Sequence, residues 1–91
     1  MSEALVGPVE VVGAGLIGTS IALACRRAGL EVLLTDPSDD NLRTASGLGA
    51  GRAKVAGETA QLVVVAVPPD HLGAVIAEAL ASGSFVTDVG S

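Results

Sequence analysis

Short apolar runs alternate along this chain with segments whose apolar positions recur at helical spacing. Runs of the first kind are typical of strands covered on both faces, and segments of the second kind are typical of amphipathic helices. The pattern predicts five strands, at residues 8–12, 31–35, 52–55, 62–67 and 84–88. It predicts three helices between them, at residues 16–28, 41–46 and 70–80.

Strands that alternate with helices through short connections form parallel sheets with right-handed crossovers. We therefore expect an α/β fold with a doubly wound parallel sheet in the strand order 3-2-1-4-5. In the first helix, the spacing predicts an apolar face made of Ile17, Ile21, Ala24 and Ala28. Gly29 follows at the position where helices commonly end.

Three glycines, Gly13, Gly15 and Gly18, lie where the first predicted strand meets the first helix, with the spacing G-x-G-x-x-G. This setting indicates a Rossmann-type dinucleotide-binding turn. The first glycine permits a tight turn, the second lets the backbone approach a pyrophosphate, and the third lets helix and strand pack closely. Free amides around Leu16 and Ile17 would bind the phosphates. The alternative is a glycine-rich turn that serves packing only.

An acidic residue, Asp36, ends the second apolar run about twenty residues after the glycines. A carboxylate there accepts hydrogen bonds from the ribose diol of an adenosine and repels a 2′-phosphate. Residues 37–40 add negative charge, and Arg43 lies further on. The sequence therefore favours NAD over NADP as the cofactor. The alternative is that Asp36 only starts an Asp-Pro turn.

Several of these features fall at one edge of the predicted sheet. Ligands of such folds bind at the carboxyl ends of the strands, where the strand order reverses. Gly13, Asp36, Pro68 and Asp88 all fall at such ends. We expect Val67 and Pro68, after the fourth strand, to contact the cofactor together with the glycine turn and Asp36.

Composition narrows the class of protein. The chain has 91 residues, of which 49% are apolar and 1% aromatic, so residues 1–91 form one small domain with an aliphatic core. Its net charge of −5 and its scattered basic residues argue against nucleic acid or an anionic membrane as partner. The sole cysteine, Cys25, excludes an internal disulfide and a multi-cysteine metal site, and we predict no metal. The chain shows no secretory signal or apolar membrane span, so we expect a cytoplasmic protein.

Three motifs carry a resemblance to a known family. They are V-G-A-G-L-I-G at residues 12–18, V-V-A-V-P-P at residues 64–69 and V-T-D-V-G-S at residues 86–91. With them, the chain resembles the N-terminal domain of prephenate dehydrogenases, including the related arogenate dehydrogenases, over essentially its whole length. The glycine motif is shared with many reductases, whereas the set ending in D-x-G-S is more specific. The family often has glycine in place of Thr19 and aspartate in place of Gln61.

The resemblance implies an oxidoreductase of tyrosine biosynthesis that oxidatively decarboxylates prephenate or arogenate while hydride passes to NAD. It implies that Ser91 hydrogen-bonds a catalytic histidine that lies beyond this chain. It also implies a further helical domain that binds the substrate and forms a homodimer. We therefore expect the chain to be a truncated fragment that binds NAD weakly and has no activity alone. The sole histidine, His71, is expected to have no direct catalytic role.

Two other functions share the glycines and Asp36. One is another reductase of similar fold, such as an imine or hydroxyacid reductase, which has less reason to carry D-V-G-S at residues 88–91. The other is a module without enzymatic activity that binds NAD in order to gate a partner.

Overall fold

The computed structural model describes residues 6–66 and 85–88 of the chain. Its elements are, in chain order, β1 (Val9–Val12), α1 (Leu16–Arg27), β2 (Val32–Thr35), α2 (Asp39–Gly47), β3 (Arg52–Ala53), β4 (Leu62–Val65) and β5 (Phe85–Asp88). The helix predicted at residues 70–80 lies outside the described residues. Within the described ranges, no helix combines the length and the apolar character needed to cross a membrane.

All five strands are parallel and form one sheet in the order β3-β2-β1-β4-β5. The predicted fold class and strand order are therefore confirmed. Strand β1 pairs with β2 on one side and with β4 on the other, so that Val12 lies between Thr35 and Val65. The carboxyl ends of β1 and β4 thus form the switch point at which sheets of this kind bind ligands.

The main core lies between one face of the sheet and the two helices. Its buried members come from alternate positions of the strands and from alanines of the helices and of the connecting loops: Val9, Val11, Ala14, Ala22, Val32, Leu34, Ala45, Ala50 and Val64. All of them are aliphatic, as the composition predicts. Cys25 is half-buried on α1 and packs against this cluster, which is the role of a small apolar side chain.

Helix α1 packs on the sheet with a different face from the predicted one. Of the predicted residues, only Ile21 packs against the core, and the other three are exposed: Ile17, Ala24 and Ala28. The buried positions are instead Gly18 and Ala22. The prediction placed the largest apolar side chains inward, but the rotation of the helix is set by a close backbone contact at Gly18, described below.

Most element boundaries lie within one residue of the prediction, and three elements differ by more. Strand β3 is two residues long rather than four, and both residues are exposed, because it lies at the sheet edge with β2 as its only neighbour. Helix α2 begins earlier than predicted, because the Ser38 hydroxyl caps it by accepting a hydrogen bond from the Asn41 amide. Strand β4 ends at Val65, and Val67 lies outside the described residues.

The entrance to β1 is held by the side chain of Gln61. Its Oε1 accepts hydrogen bonds from the amides of Val6 (2.8 Å) and Gly7 (2.9 Å), and the backbone amide of Gln61 donates to the Pro8 carbonyl. An aspartate side chain also presents an oxygen that accepts hydrogen bonds. The glutamine therefore supplies the acceptor that the family resemblance leads one to expect at this position.

A buried acidic residue lies on the sheet face opposite α1. Glu10 is 7% exposed and alternates with the core residues Val9 and Val11 along β1. Its carboxylate accepts hydrogen bonds from Thr35 Oγ1 (2.9 Å) and Lys54 Nζ (3.1 Å). The charge is thus paired and hydrogen-bonded, as a buried charge requires.

The short edge strand β3 is tied to its neighbours by Arg52. The guanidinium forms two hydrogen bonds with Glu58, in the loop before β4, and one with Glu31, in the loop before β2. Glu58 also accepts a hydrogen bond from the Val55 amide. The Arg52 guanidinium and this amide lower the pKa of Glu58 from 4.5 to about 2.

We expect the Glu58 interaction to stabilise the fold at neutral pH and to fail in acid. The folded-state pKa lies below the ordinary value of 4.5, so the stabilisation is fully present above that value and is lost as the pH falls towards about 2. Urea denaturation of the wild type and of Glu58→Gln should show a difference in unfolding free energy that shrinks over this range. The same comparison is then made with Arg52→Met present in both proteins. If the difference in unfolding free energy stayed the same size, the ion pair with Arg52 would not be its cause.

Candidate dinucleotide-binding site

The three glycines of the turn differ in what the structure requires of them. Gly13 has φ +101°, a conformation that favours glycine, and its amide donates to the Thr35 carbonyl at 2.7 Å. A Cβ on Gly18 would lie 1.7 Å from the Gly13 carbonyl oxygen, so no other residue fits there without a shift of helix or turn. Gly15 has an ordinary extended backbone, and a Cβ there would meet no atom within 4 Å.

At position 15, the described residues therefore give no reason why the residue must be glycine. Neither its φ of −76° nor any described neighbouring atom excludes a Cβ. A Cβ would, however, occupy open space beside the start of α1. This is the space that a pyrophosphate needs in order to reach the main chain.

Among the residues that the structure describes, no side chain caps the start of α1. Its N-cap residue is Gly15, and its first turn contains no acidic residue. Helix α2, in contrast, is capped by Ser38 and has Asp39 and Asp40 in its first turn. The first amides of α1, around Leu16 and Ile17, have no partner within the helix, and they lie at the positive end of its dipole. An anion would satisfy both features.

Asp36 lies directly after β2 and contacts the glycine turn. Its Oδ2 accepts a hydrogen bond from the Ala14 amide, and its Oδ1 accepts one from the Ser38 amide, each at 2.7 Å. The Asn41 side-chain amide lies at 3.4 Å, a weak contact. The turn considered as the alternative role of Asp36 is thus present, and the same carboxylate also reaches the glycine turn. Because an ionised carboxylate has about four acceptor positions, it retains capacity for a ribose diol.

The charges around Asp36 are mainly negative. Asp39 and Asp40 begin the adjoining helix, and both are exposed. Arg43 lies one turn on and is paired at 3.5 Å with Asp40, with both side chains largely in solvent. The single arginine of α2 is thus paired with an acidic side chain.

The structure brings together the predicted binding residues that it describes. Gly13, Gly15, Leu16, Ile17, Gly18 and Asp36 all lie at the carboxyl edge of β1 and β2. Val67, Pro68, His71 and Ser91 lie outside the described residues. The hydrogen bond from Ala14 to Asp36 was missed, since no sequence pattern links positions 22 residues apart. The hydrogen bond from Thr19 Oγ1 to the Ala14 carbonyl was missed as well.

A groove of about 250 Å³ lies at the opposite edge of the sheet. It is lined by Arg26, Glu31, Val32, Gly49, Gly51 and Arg52. The Arg52 guanidinium is already engaged by two glutamates. Nothing in this groove indicates a ligand, and it lies away from the glycine turn.

Comparison with known proteins shows the family of the chain. Residues 8–91 match the protein family described as "NADP oxidoreductase coenzyme F420-dependent". The chain belongs to this family. A curated relative, the "Probable prephenate dehydrogenase NovF" of Streptomyces niveus, is 47% identical over 81 residues, which are 87% of this chain and 22% of the relative. The resemblance to prephenate dehydrogenases is thereby confirmed, although the chain spans only that fraction of the relative's length.

A solved structure shows the same fold. The (S)-3-hydroxybutyryl-CoA dehydrogenase PaaH1 of Ralstonia eutropha superposes with a TM-score of 0.74 at 18% identity, over 88% of this chain and 39% of that one. Family, relative and fold together identify the dinucleotide-binding domain of an NAD(P)-dependent oxidoreductase. They do not distinguish NAD from NADP.

The contact between Gly18 and the Gly13 carbonyl leads to a stability prediction. Gly18→Ala should lower the free energy of unfolding by about 2 kcal/mol or more, because the added methyl group forces helix and turn apart. Gly47→Ala in α2 is the matched control, since a Cβ there meets nothing within 4 Å and should cost nothing. Urea denaturation compares the three proteins, and a Gly18→Ala protein as stable as wild type would contradict the close contact.

Proposed function

We propose that the chain is the cofactor-binding domain of an NAD-dependent dehydrogenase that acts on prephenate or arogenate. One observation carries the cofactor part. No contact within the described part of the chain requires glycine at position 15, and this position lies beside a helix start that no described side chain caps. A bound diphosphate accounts for both facts. The reaction part rests on the 47% identity to a probable prephenate dehydrogenase.

In the proposed complex, the diphosphate lies against the amides of Leu16 and Ile17, with Gly15 leaving room for it. The adenosine ribose lies beside Asp36, whose carboxylate accepts hydrogen bonds from the diol. The hydrogen bond from Ala14 to Asp36 fixes the distance between these two subsites. Val67 and Pro68 are proposed to line the cofactor further along the same edge.

The bound nicotinamide supplies the hydride acceptor for oxidation of the ring hydroxyl, as carbon dioxide is lost and the ring becomes aromatic. The residues of this chain bind and orient the cofactor. Ser91 is proposed to hydrogen-bond a catalytic histidine elsewhere in the protein, as the family resemblance implies. Substrate binding and homodimerisation are likewise assigned to parts of the protein beyond residues 1–91.

The charges of the site favour NAD, even though the description of the matched family names NADP. A 2′-phosphate would lie beside the Asp36 carboxylate, near the acidic first turn of α2. Like charges held this close repel, and the repulsion is large where water is partly excluded. Arg43 is drawn to Asp40 rather than to the proposed ribose position.

The first test is Gly15→Ala. The backbone and surroundings of Gly15 accept a methyl group, so the free energy of unfolding should stay within about 0.5 kcal/mol of wild type. The dissociation constant for NAD, measured by calorimetry, should rise about tenfold or more, because the methyl group blocks the approach of the phosphates. Gly47→Ala is again the control and should bind NAD normally. A Gly15→Ala protein with wild-type affinity would overturn the proposed site.

The second test concerns the choice of cofactor. The wild type should bind NAD more tightly than NADP, and Asp36→Ala should narrow that ratio. Loss of the hydrogen bond from Ala14 should weaken the binding of both cofactors alike, so this effect cancels in the ratio of the two dissociation constants. What remains is the loss of the acceptor for the diol and the relief of repulsion on the 2′-phosphate. Tighter binding of NADP by the wild type would contradict the role of Asp36.

The reaction is tested separately, in the whole protein. Prephenate or arogenate should be consumed with matching production of NADH and carbon dioxide. A protein that binds NAD but oxidises neither compound would contradict the reaction assignment and favour another reductase of the same fold. The cofactor site itself would be unaffected by that result.

A further inference from the structure

We infer that Thr19 is a positioning residue for dinucleotide binding, because its hydroxyl and the Asp36 carboxylate together hold Ala14 and fix the glycine turn before a cofactor arrives. The inference rests on the proposed function. It adds a role for a residue at which this chain departs from the prephenate dehydrogenase pattern, where glycine is common.

Ala14 is held at both of its backbone polar groups. Its amide donates to Asp36 Oδ2 at 2.7 Å, and its carbonyl accepts from Thr19 Oγ1 at 3.0 Å. The residue is 4% exposed and belongs to the core cluster. Three separate contacts therefore fix the residue that precedes Gly15.

The direction of the Thr19 hydroxyl is unusual for a helix. Serine and threonine in helices commonly bond a carbonyl three or four residues back, within the helix itself. Ser20 does so, donating to the Leu16 carbonyl at 2.9 Å. Thr19 instead reaches five residues back, beyond the helix start and into the turn. Its hydroxyl thus ties the first turn of α1 to the loop that the phosphates must approach.

Fixing the turn in advance improves binding. A loop that samples several conformations binds with an affinity reduced by the fraction of time spent in the competent one. Ala14 is two residues before Leu16 in the chain. Motion at Ala14 therefore moves the amides of Leu16 and Ile17, which are proposed to bind the phosphates. Asp36 binds the Ala14 amide and also lies at the proposed ribose subsite. A fixed Ala14 therefore holds the phosphate and ribose subsites in place together.

The test compares Thr19→Val, Thr19→Ser and Ser20→Ala with the wild type. Valine keeps the shape of threonine and removes the hydroxyl, whereas serine keeps the hydroxyl. Ser20→Ala removes a hydroxyl bond within the same helix that does not reach the turn. Two quantities are measured in each protein: the hydrogen-exchange rate of the Ala14 amide without cofactor, by NMR, and the dissociation constant for NAD, by calorimetry.

Thr19→Val should exchange the Ala14 amide several-fold faster and raise the dissociation constant for NAD roughly three- to tenfold, the effect of one ordinary hydrogen bond. Thr19→Ser and Ser20→Ala should both keep the wild-type exchange rate and the wild-type dissociation constant. Wild-type exchange and affinity in Thr19→Val would overturn the inference while leaving the proposed function intact. If the wild type bound no NAD, the proposed function would fail. The exchange rate of the Ala14 amide would still test the role of Thr19, because an unchanged rate in Thr19→Val would show that the Thr19 hydroxyl does not hold Ala14.

Discussion

The close approach of α1 to the first strand turn is the constraint on which the rest of the structure depends. The helix backbone at Gly18 lies so near the Gly13 carbonyl that no Cβ fits between them. This contact fixes the rotation of α1, which is why Gly18 and Ala22 face the sheet and the larger Ile17 does not. It also directs the start of the helix at the switch point of the sheet. A helix held further away would present its free amides elsewhere.

Asp36 is the second point at which the structure depends on one side chain. Both carboxylate oxygens accept a short hydrogen bond from a backbone amide, one in the glycine turn and one in the turn that leads to α2. An asparagine could serve only one of these amides, because its nitrogen does not accept hydrogen bonds. The carboxylate therefore has a structural role at this edge of the sheet. That role is compatible with the proposed contact between Asp36 and a ribose.

The sequence predicted the strands and the placement of the glycine turn, because these follow from local periodicities and spacings. It predicted the strand order from the right-handed connections between alternating strands and helices, and it placed the described candidate binding residues, from Gly13 to Asp36, at one edge of the sheet. Two kinds of feature lay beyond it. The rotation of α1 depends on a backbone contact rather than on hydrophobicity, so the apolar pattern predicted the wrong face. The bonds that Asp36 and Thr19 make to Ala14 depend on tertiary geometry, which no spacing rule contains.

The distribution of positive charge shows why the site must work through the main chain. The chain has five basic residues: Arg26, Arg27, Arg43, Arg52 and Lys54. The first two lie in the last turn of α1, at the opposite end from the glycine turn. The other three, Arg43, Arg52 and Lys54, are paired with acidic side chains.

The arginines for which the structure describes no acidic partner are thus at the far end of α1 from the glycine turn, and the net charge of the chain repels a diphosphate at long range. Attraction must come at short range, from the amides and the dipole of an uncapped helix, and both lose effect within one turn. Small displacements of the glycine turn should then matter more here than in a site where a flexible lysine or arginine can follow the phosphates.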